Sequence, residues 1–162
     1  MEPNKKELKV LQFGGGNFLR GFADWMIHRS NELANYNATV CVVQTKATAD
    51  AFKIQNGVFH VKQSGLNADE FKVDLEQVNV VEKSILIAEQ FSEFANLAKC
   101  NSIELIISNT TERGIEWQNE IFLDNKPAHT FPGKLTQFLH FRFLAEVNKP
   151  LVILPCELIV NN

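Results

Sequence analysis

Cysteine is scarce in this sequence, and the few cysteines do not form a motif. Cys41, Cys100 and Cys156 are the three cysteines among 162 residues, and no two of them make a C-x-x-C pair. An odd number at wide spacing argues against a disulfide framework and against a cysteine-based zinc site. The four histidines are also not spaced from these cysteines as metal ligands would be; they are His28, His60, His129 and His140. We therefore predict no metal site and a reduced, cytoplasmic protein.

Excess positive charge and long apolar runs are missing as well. The formal net charge is −3, and no long basic run occurs. Nucleic acid and acidic membrane surfaces are therefore not expected as partners. No apolar run approaches the length of a membrane span, and residues 1–8 are polar and charged, unlike a secretory signal.

The sequence does contain short apolar runs that alternate with helical patterns. Residues 10–13, 39–43, 102–107 and 151–154 are the runs, and such runs are typical of parallel strands covered on both faces. The segment 57–82 alternates between apolar and polar residues, which predicts a small antiparallel excursion. The fold class is therefore α/β, with a doubly wound, mainly parallel sheet in one domain spanning residues 1–162.

Helical spacing predicts which side chains of two helices are buried. In the helix that follows residue 16, the expected buried face consists of Phe18, Phe22, Trp25, Met26 and Leu33. In a second helix over residues 131–147, opened by Pro132, it consists of Leu135, Phe138, Leu139, Phe143 and Leu144. A third, short helix is expected over residues 47–55.

The clearest candidate site is a glycine turn between the first strand and the first helix. Gly14 and Gly16 give the first two glycines of a G-x-G-x-x-G fingerprint, whereas Leu19 replaces the third. Small residues there allow a sharp turn and let a pyrophosphate approach the N–H groups of the helix. The alternative is a tight strand-to-helix turn that binds no ligand.

Three more loops should lie near this turn, because ligands bind at the carboxyl ends of such strands. The second-strand loop is Gln44-Thr45-Lys46, which lacks the acid that would bind the adenosine ribose. In the third loop, Asn109 and Thr110 could bond a ribose or a nicotinamide amide, or the loop could simply cap a helix before Glu112.

The fourth loop contains Cys156 and Glu157. The cysteine could act as a nucleophile only beside a base, and no such base can be assigned. Glu157 is the best spare carboxylate, although a capping or salt-bridging acid is an equal interpretation. A methyltransferase is the least favoured class, since Gln12 and Gln44 stand where its acids are expected.

Four stretches together resemble the mannitol dehydrogenase family, which includes mannonate oxidoreductase and tagaturonate reductase. The tagaturonate reductase (altronate oxidoreductase) branch resembles the chain most, and Leu19 is normal for that branch. The stretches keep the family's order and span nearly the whole chain: QFGGGNFLRGFADW from Gln12, SNTTE from Ser108, FPGKLT from Phe131 and ILPCELI from Ile153.

The resemblance implies an N-terminal Rossmann domain of an NAD-dependent oxidoreductase that interconverts tagaturonate and altronate in hexuronate catabolism. It also implies that a C-terminal helical catalytic domain is absent, so no catalytic residue is assigned here and the sugar-acid substrate needs that domain. Alternatives are a fructuronate reductase, a mannitol-type polyol dehydrogenase or a non-catalytic dinucleotide-binding module. The candidate cofactor-binding residues are Gly14, Gly15, Gly16, Asn17, Phe18, Gln44, Asn109 and Thr110.

Overall fold

The computed structural model describes residues 6–45, 51–67 and 70–159, and within them a parallel sheet forms the centre of the molecule. The described strands are β1 (Glu7–Phe13), β2 (Ala38–Gln44), β3 (Phe59–Asn67), β4 (Glu70–Val78), β5 (Val81–Leu86), β6 (Leu105–Ser108) and β7 (Val152–Pro155). Five of them make the sheet in the order β5-β2-β1-β6-β7, and every neighbouring pair is parallel. The sheet therefore confirms the predicted doubly wound fold, with β1 at its centre.

Helices cover both faces of this sheet. The described helices are a π-helical segment (Leu19–Asp24) that continues directly into α1 (Trp25–Ala34), then α2 (Ala51–Ile54), α3 (Phe91–Leu97), α4 (Glu112–Ile115) and α5 (Phe131–Leu144). Successive side chains of a strand point to opposite faces, so each inner strand feeds two cores. In β1, Val10 belongs to the core under α1 and the hairpin, and Leu11 to the core under α3 and α5. No helix of the described residues is long and apolar enough to span a membrane.

The antiparallel excursion is confirmed, but its predicted end is wrong. Strands β3 and β4 pair antiparallel as a separate two-stranded ribbon, from Phe59 opposite Val78 to Asn67 opposite Glu70. Residues 81–86 then join the main sheet as β5, parallel to β2. The sequence concealed this strand because it is at the sheet edge, where Glu82 is exposed and the pattern alternates.

The predicted buried face of the first helix is wrong except at Trp25, which is half-buried against the core. Phe18, Phe22, Met26 and Leu33 are exposed by 40% or more, and the buried positions are Leu19, Ala23, Asp24, Ile27 and His28. A π-helical segment bonds i to i+5 and therefore has more residues per turn than an α-helix. The helical spacing assumed from the sequence is thus out of phase with the helix that forms.

Helix α5 also differs from its prediction at its second half. Phe138 is fully buried, but Phe143 and Leu144 are exposed. Polar side chains occupy the buried positions instead, because each one finds a hydrogen-bond acceptor: Arg142 donates to the carbonyls of Cys100 and Ile103 at 3.0 and 2.9 Å. The short helix predicted over 47–55 appears as α2, and residues 46–50 lie outside the described residues.

Candidate functional site

The carboxyl ends of β1 and β6 meet at the point where the strand order of the sheet reverses. The chain leaves β1 towards β2 on one side, whereas β6 and β7 lie on the other side. In open α/β sheets such a switch point forms a ligand-binding crevice. Here Gly14 follows β1 and Asn109 follows β6, and a β-carbon on Gly14 would lie 3.5 Å from the Asn109 carbonyl oxygen. The two predicted loops are therefore adjacent.

The first residue of the glycine turn requires glycine for its backbone conformation. Gly14 has a φ of +103° and donates its N–H to the Val43 carbonyl at 3.0 Å. Packing within the protein does not require glycine at position 16, because no atom lies within 4 Å of a β-carbon built on Gly16. Helix hydrogen bonding starts here, where the Arg20 N–H donates to the Gly16 carbonyl at 3.1 Å. Open space therefore faces Gly16 at the start of a helix.

Side chains from the helix and from α2 flank the turn. Arg20 donates to the Asn17 side-chain oxygen at 3.0 Å, and its guanidinium lies 5.4 Å from the centre of the Phe52 ring. That ring also covers Gly15, whose β-carbon would be 2.6 Å from Phe52 Cε2. Phe18 is part-exposed beside the turn and stacks on Phe22 with ring centres 5.3 Å apart. The contact of Phe52 was not predicted from the sequence.

A buried polar pair lies beneath the turn. Gln12 and Asp24 are both fully buried, and the Gln12 amide nitrogen donates to the Gly14 carbonyl at 3.1 Å and approaches Asp24 Oδ2 at 3.5 Å. Burial raises the pKa of Asp24 to about 7, against the lowering effects of the Gln12 hydrogen bond and the Arg20 charge. Asp24 was not identified from the sequence, because the assumed helical spacing placed it on the side of the helix that faces solvent.

The loop after β6 is tied to the loop after β7 by two hydrogen bonds. The Asn109 side-chain nitrogen donates to the Cys156 carbonyl at 2.7 Å, and the Thr110 N–H donates to Glu157 Oε1 at 3.1 Å. Thr111 occupies the N-cap position of α4 without a side-chain capping bond. Thr111 therefore caps α4 by position alone, and Glu157 holds the loop by accepting the hydrogen bond of the Thr110 N–H.

The end of β2 contributes Thr45 to the crevice. Gln44, a candidate cofactor-binding residue, donates its amide to Ser84 Oγ at 3.3 Å across the β2–β5 pair. Lys46, the last residue of the predicted second-strand loop, lies outside the described residues. The crevice meets β2 at Thr45 rather than at Gln44.

The crevice opens into a cleft large enough for a nucleotide. Two connected depressions of about 260 and 750 Å³ share Thr45, Thr110, Thr111, Phe131 and Lys134, and Gly14 and Asn109 line the smaller one. Ligand pockets typically measure about 300–1,000 Å³. Gly14, Asn109 and Thr110 are thus brought together in this cleft, while residues 15–18 form the turn beside it.

Lys134 is a cleft residue that the sequence analysis quoted but gave no role. It is almost fully buried at the start of α5 and donates to the backbone carbonyls of His129 and Thr130. Burial lowers its pKa, and the nearby charge of Glu120 opposes that effect. The FPGKLT stretch was the signal that could have marked it.

Elsewhere, the cysteines and the histidines other than His129 are not part of the cleft lining. Burial raises the pKa of Cys41 to about 12, and burial also raises the pKa of Cys156, so neither thiol is activated. His28, Glu32 and Glu76 offer ligand atoms within 4.8 Å of one another. Arg29, however, already donates to Glu32 at 2.7 Å and Glu76 at 3.3 Å, so an internal cation offsets part of the negative charge of this cluster.

Comparison with known proteins places the chain in a family. Residues 8–162 match the model of the mannitol dehydrogenase Rossmann domain. Altronate oxidoreductases of Phocaeicola vulgatus, Bacteroides thetaiotaomicron and Bacillus subtilis are 40%, 39% and 38% identical over 159 residues. Each alignment covers 95% of this chain, and the chain spans 33% of the length of these relatives.

Solved structures show the same fold. The mannitol 2-dehydrogenase of Pseudomonas fluorescens, in a ternary complex with NAD and D-mannitol, superimposes with a TM-score of 0.73 at 16% identity. The superposition covers 97% of this chain and 35% of the mannitol 2-dehydrogenase chain. A substrate-free D-sorbitol dehydrogenase superimposes with a TM-score of 0.75 at 16% identity, and that superposition covers 99% of this chain and 36% of the other. On the family match, the chain belongs to the mannitol dehydrogenase family and forms its Rossmann domain.

Proposed function

We propose that this chain is the cofactor-binding domain of a cytoplasmic, NAD-dependent oxidoreductase that interconverts tagaturonate and altronate. The relatives named altronate oxidoreductase, at 38–40% identity, support the reaction. The mannitol 2-dehydrogenase of the same fold was solved with NAD, which supports the cofactor. The three free cysteines are consistent with a reducing compartment.

The glycine turn is the observation that supports this function most. Gly14 takes a backbone conformation that favours glycine, and the space that faces Gly16 is open at the start of a helix. Backbone N–H groups at such a helix start bind phosphate groups. We therefore propose that a pyrophosphate binds at residues 14–18, in the open space that faces Gly16.

The remaining candidate contacts follow from this placement. Asn109 and Thr110 line the cleft on the β6 side, where they would contact the nicotinamide half. Gln44 ends β2 and Thr45 follows it, where the adenosine ribose of a dinucleotide is expected. When bound, NAD supplies the chemistry by accepting a hydride from the alcohol carbon or, as NADH, donating one to the ketone.

The groups that act on the substrate are proposed to lie outside this chain. Relatives are about three times as long as the aligned segment, which covers 33% of them. Hydride transfer requires the reacting atoms to be held close and the ketone oxygen to be stabilised as it gains charge. We assign residues 1–162 to cofactor binding, and we assign these catalytic tasks to a C-terminal helical domain.

Titration calorimetry with NADH on a pair of valine variants tests the site. Gly16→Val would place a side chain where the pyrophosphate is proposed, whereas Gly21→Val makes the same change at a second position with no atom within 4 Å. We expect Gly16→Val to raise the Kd at least about tenfold, a loss of about 1.4 kcal/mol. Gly21→Val should bind like the wild type, and equal binding by both variants would remove the site from this turn.

A further inference from the structure

The buried side chains beneath the glycine turn leave some of their hydrogen-bonding atoms without a partner. Among the described residues, Gln12 Oε1 and Asp24 Oδ1 are buried polar atoms without a hydrogen-bond partner. Both residues are 0% exposed, and the Gln12 amide nitrogen reaches Gly14 O at 3.1 Å and Asp24 Oδ2 at 3.5 Å. Native proteins pair the great majority of buried polar atoms, so two orphans in one contacting pair need an explanation.

The chemistry of the two groups identifies what is missing. An ionised carboxylate only accepts hydrogen bonds, and an amide oxygen also only accepts. If Asp24 is ionised, Asp24 Oδ1 and Gln12 Oε1 are therefore two acceptors, and neither can donate to the other. A protonated carboxyl has one O–H donor and keeps an acceptor oxygen. An amide and a carboxylic acid are therefore complementary, with one N–H···O bond and one O–H···O bond.

We propose that Asp24 is a neutral carboxylic acid in the folded protein and donates its O–H to Gln12 Oε1. A single proton would satisfy both orphaned atoms. The pair then fixes the Gln12 amide, which holds the Gly14 carbonyl and with it the glycine turn. Asp24 is thus a positioning residue for the cofactor, acting through Gln12.

The charges around Asp24 agree with this protonation state. Arg20, one turn earlier on the same helix, is the charge that acts on it, and the facing side chain of β1 is the uncharged Gln12. The Arg20 guanidinium donates to Asn17 through Nη2 and lies over Phe52, its buried Nε has no hydrogen-bond partner, and no ion pair joins it to Asp24 within the described residues. Burial raises the pKa of Asp24 from 3.8 to about 7 despite that charge.

Two consequences follow, and only the second rests on the proposed function. Between about pH 4 and 7 the folded chain keeps a proton that the unfolded chain loses, so stability should fall as pH rises through this range and then level off. Above pH 7 an ionised Asp24 would repel Gln12 Oε1 and place negative charge under the phosphate site. NADH binding should therefore weaken as pH rises.

The substitution Asp24→Asn tests the proton directly. Asparagine keeps an acceptor oxygen and replaces the O–H donor by an N–H donor, so both bonds to Gln12 can form at any pH. In the 162-residue chain we expect an infrared carbonyl band of a neutral carboxyl at pH 6 that is lost in Asp24→Asn and at pH 9. Asp74→Asn, an exposed change in β4, is the matched control and should keep the band.

Stability and binding give the second readout. The wild type should bind NADH roughly tenfold more weakly at pH 9 than at pH 6, within the usual range of coupling between sites, while Asp24→Asn should bind equally at both. Asp24→Asn should also be at least as stable as the wild type at pH 9. A missing band together with a destabilised Asp24→Asn would show an ionised Asp24 and overturn the proposal. A band of the expected behaviour with no NADH binding in any variant would instead refute the proposed function alone.

Discussion

The ring of Phe52 closes over Gly15, so that a β-carbon on Gly15 would lie 2.6 Å from Phe52 Cε2. Phe52 is itself buried and packs edge-on against Phe59 with ring centres 6.3 Å apart, which leaves the ring little freedom to move. Gly15→Ala should therefore overpack this contact and cost about 1–3 kcal/mol of stability. Urea unfolding of the variant and the wild type measures the difference.

A neighbouring glycine and a double variant provide the controls for this prediction. Gly16→Ala adds the same methyl group in open space and should change the stability by less than about 0.5 kcal/mol. Phe52→Leu should recover part of the loss caused by Gly15→Ala, because it removes the ring that the methyl group meets. Independent, additive effects of the two substitutions would show that they do not touch.

The cofactor preference is predicted to be NAD over NADP. The family resemblance and the NAD-dependent function proposed above motivate this expectation. Gln44→Asp should strengthen it, since a carboxylate at the end of β2 accepts bonds from ribose hydroxyls and repels a 2′-phosphate. Calorimetry with NADH and NADPH is the measurement, and Gln44→Asn is the uncharged control. Tighter binding of NADPH by the wild type would contradict the prediction.

The 162-residue chain alone is predicted to show no turnover with tagaturonate, fructuronate or fructose. It spans about a third of the relatives' length, and the catalytic groups are proposed to lie in the remainder. NADH oxidation followed at saturating ketone is the measurement, with a longer altronate oxidoreductase as the positive control. Protein-dependent oxidation above the background would place catalytic groups within this chain.

The complete enzyme is predicted to have a higher kcat/KM for tagaturonate than for fructuronate or fructose. Tagaturonate and fructuronate differ at one stereocentre, and a site that bonds a hydroxyl group discriminates against a misplaced one because a buried polar partner is left unpaired. Steady-state kinetics with the three ketones measures kcat/KM for each of them. A preference for fructuronate would move the protein to another branch of the same family.

Local patterns were sufficient to predict four strands of the sheet and the glycine turn. Alternation of side chains along a buried strand, as in Val40 and Cys41, assigns residues to two cores without tertiary knowledge. The turn at Gly14 was predictable because its conformation belongs almost entirely to glycine. The edge strand β5 was missed because one side of an edge strand faces solvent and resembles a hairpin strand.

Features that depend on tertiary contacts could not be predicted. The π-helical segment (Leu19–Asp24) shifts the helical phase, so that Phe22 is exposed and Asp24 is buried. Arg142 occupies an inward position of α5 because the distant backbone carbonyls of Cys100 and Ile103 accept its hydrogen bonds. Propensity and periodicity contain no information about such partners, which come from other parts of the chain.

The central position of β1 makes the order of synthesis important for how the cleft forms. Strand β1 is made first, yet one of its two neighbours is β6, and Ser102 donates to the Leu8 carbonyl across 94 positions of the chain. Contacts so distant in sequence slow folding, because loop closure costs entropy before any pairing is gained. A nascent chain on the ribosome therefore exposes one edge of β1 until β6 emerges. Asn109 comes to lie beside the glycine turn only then.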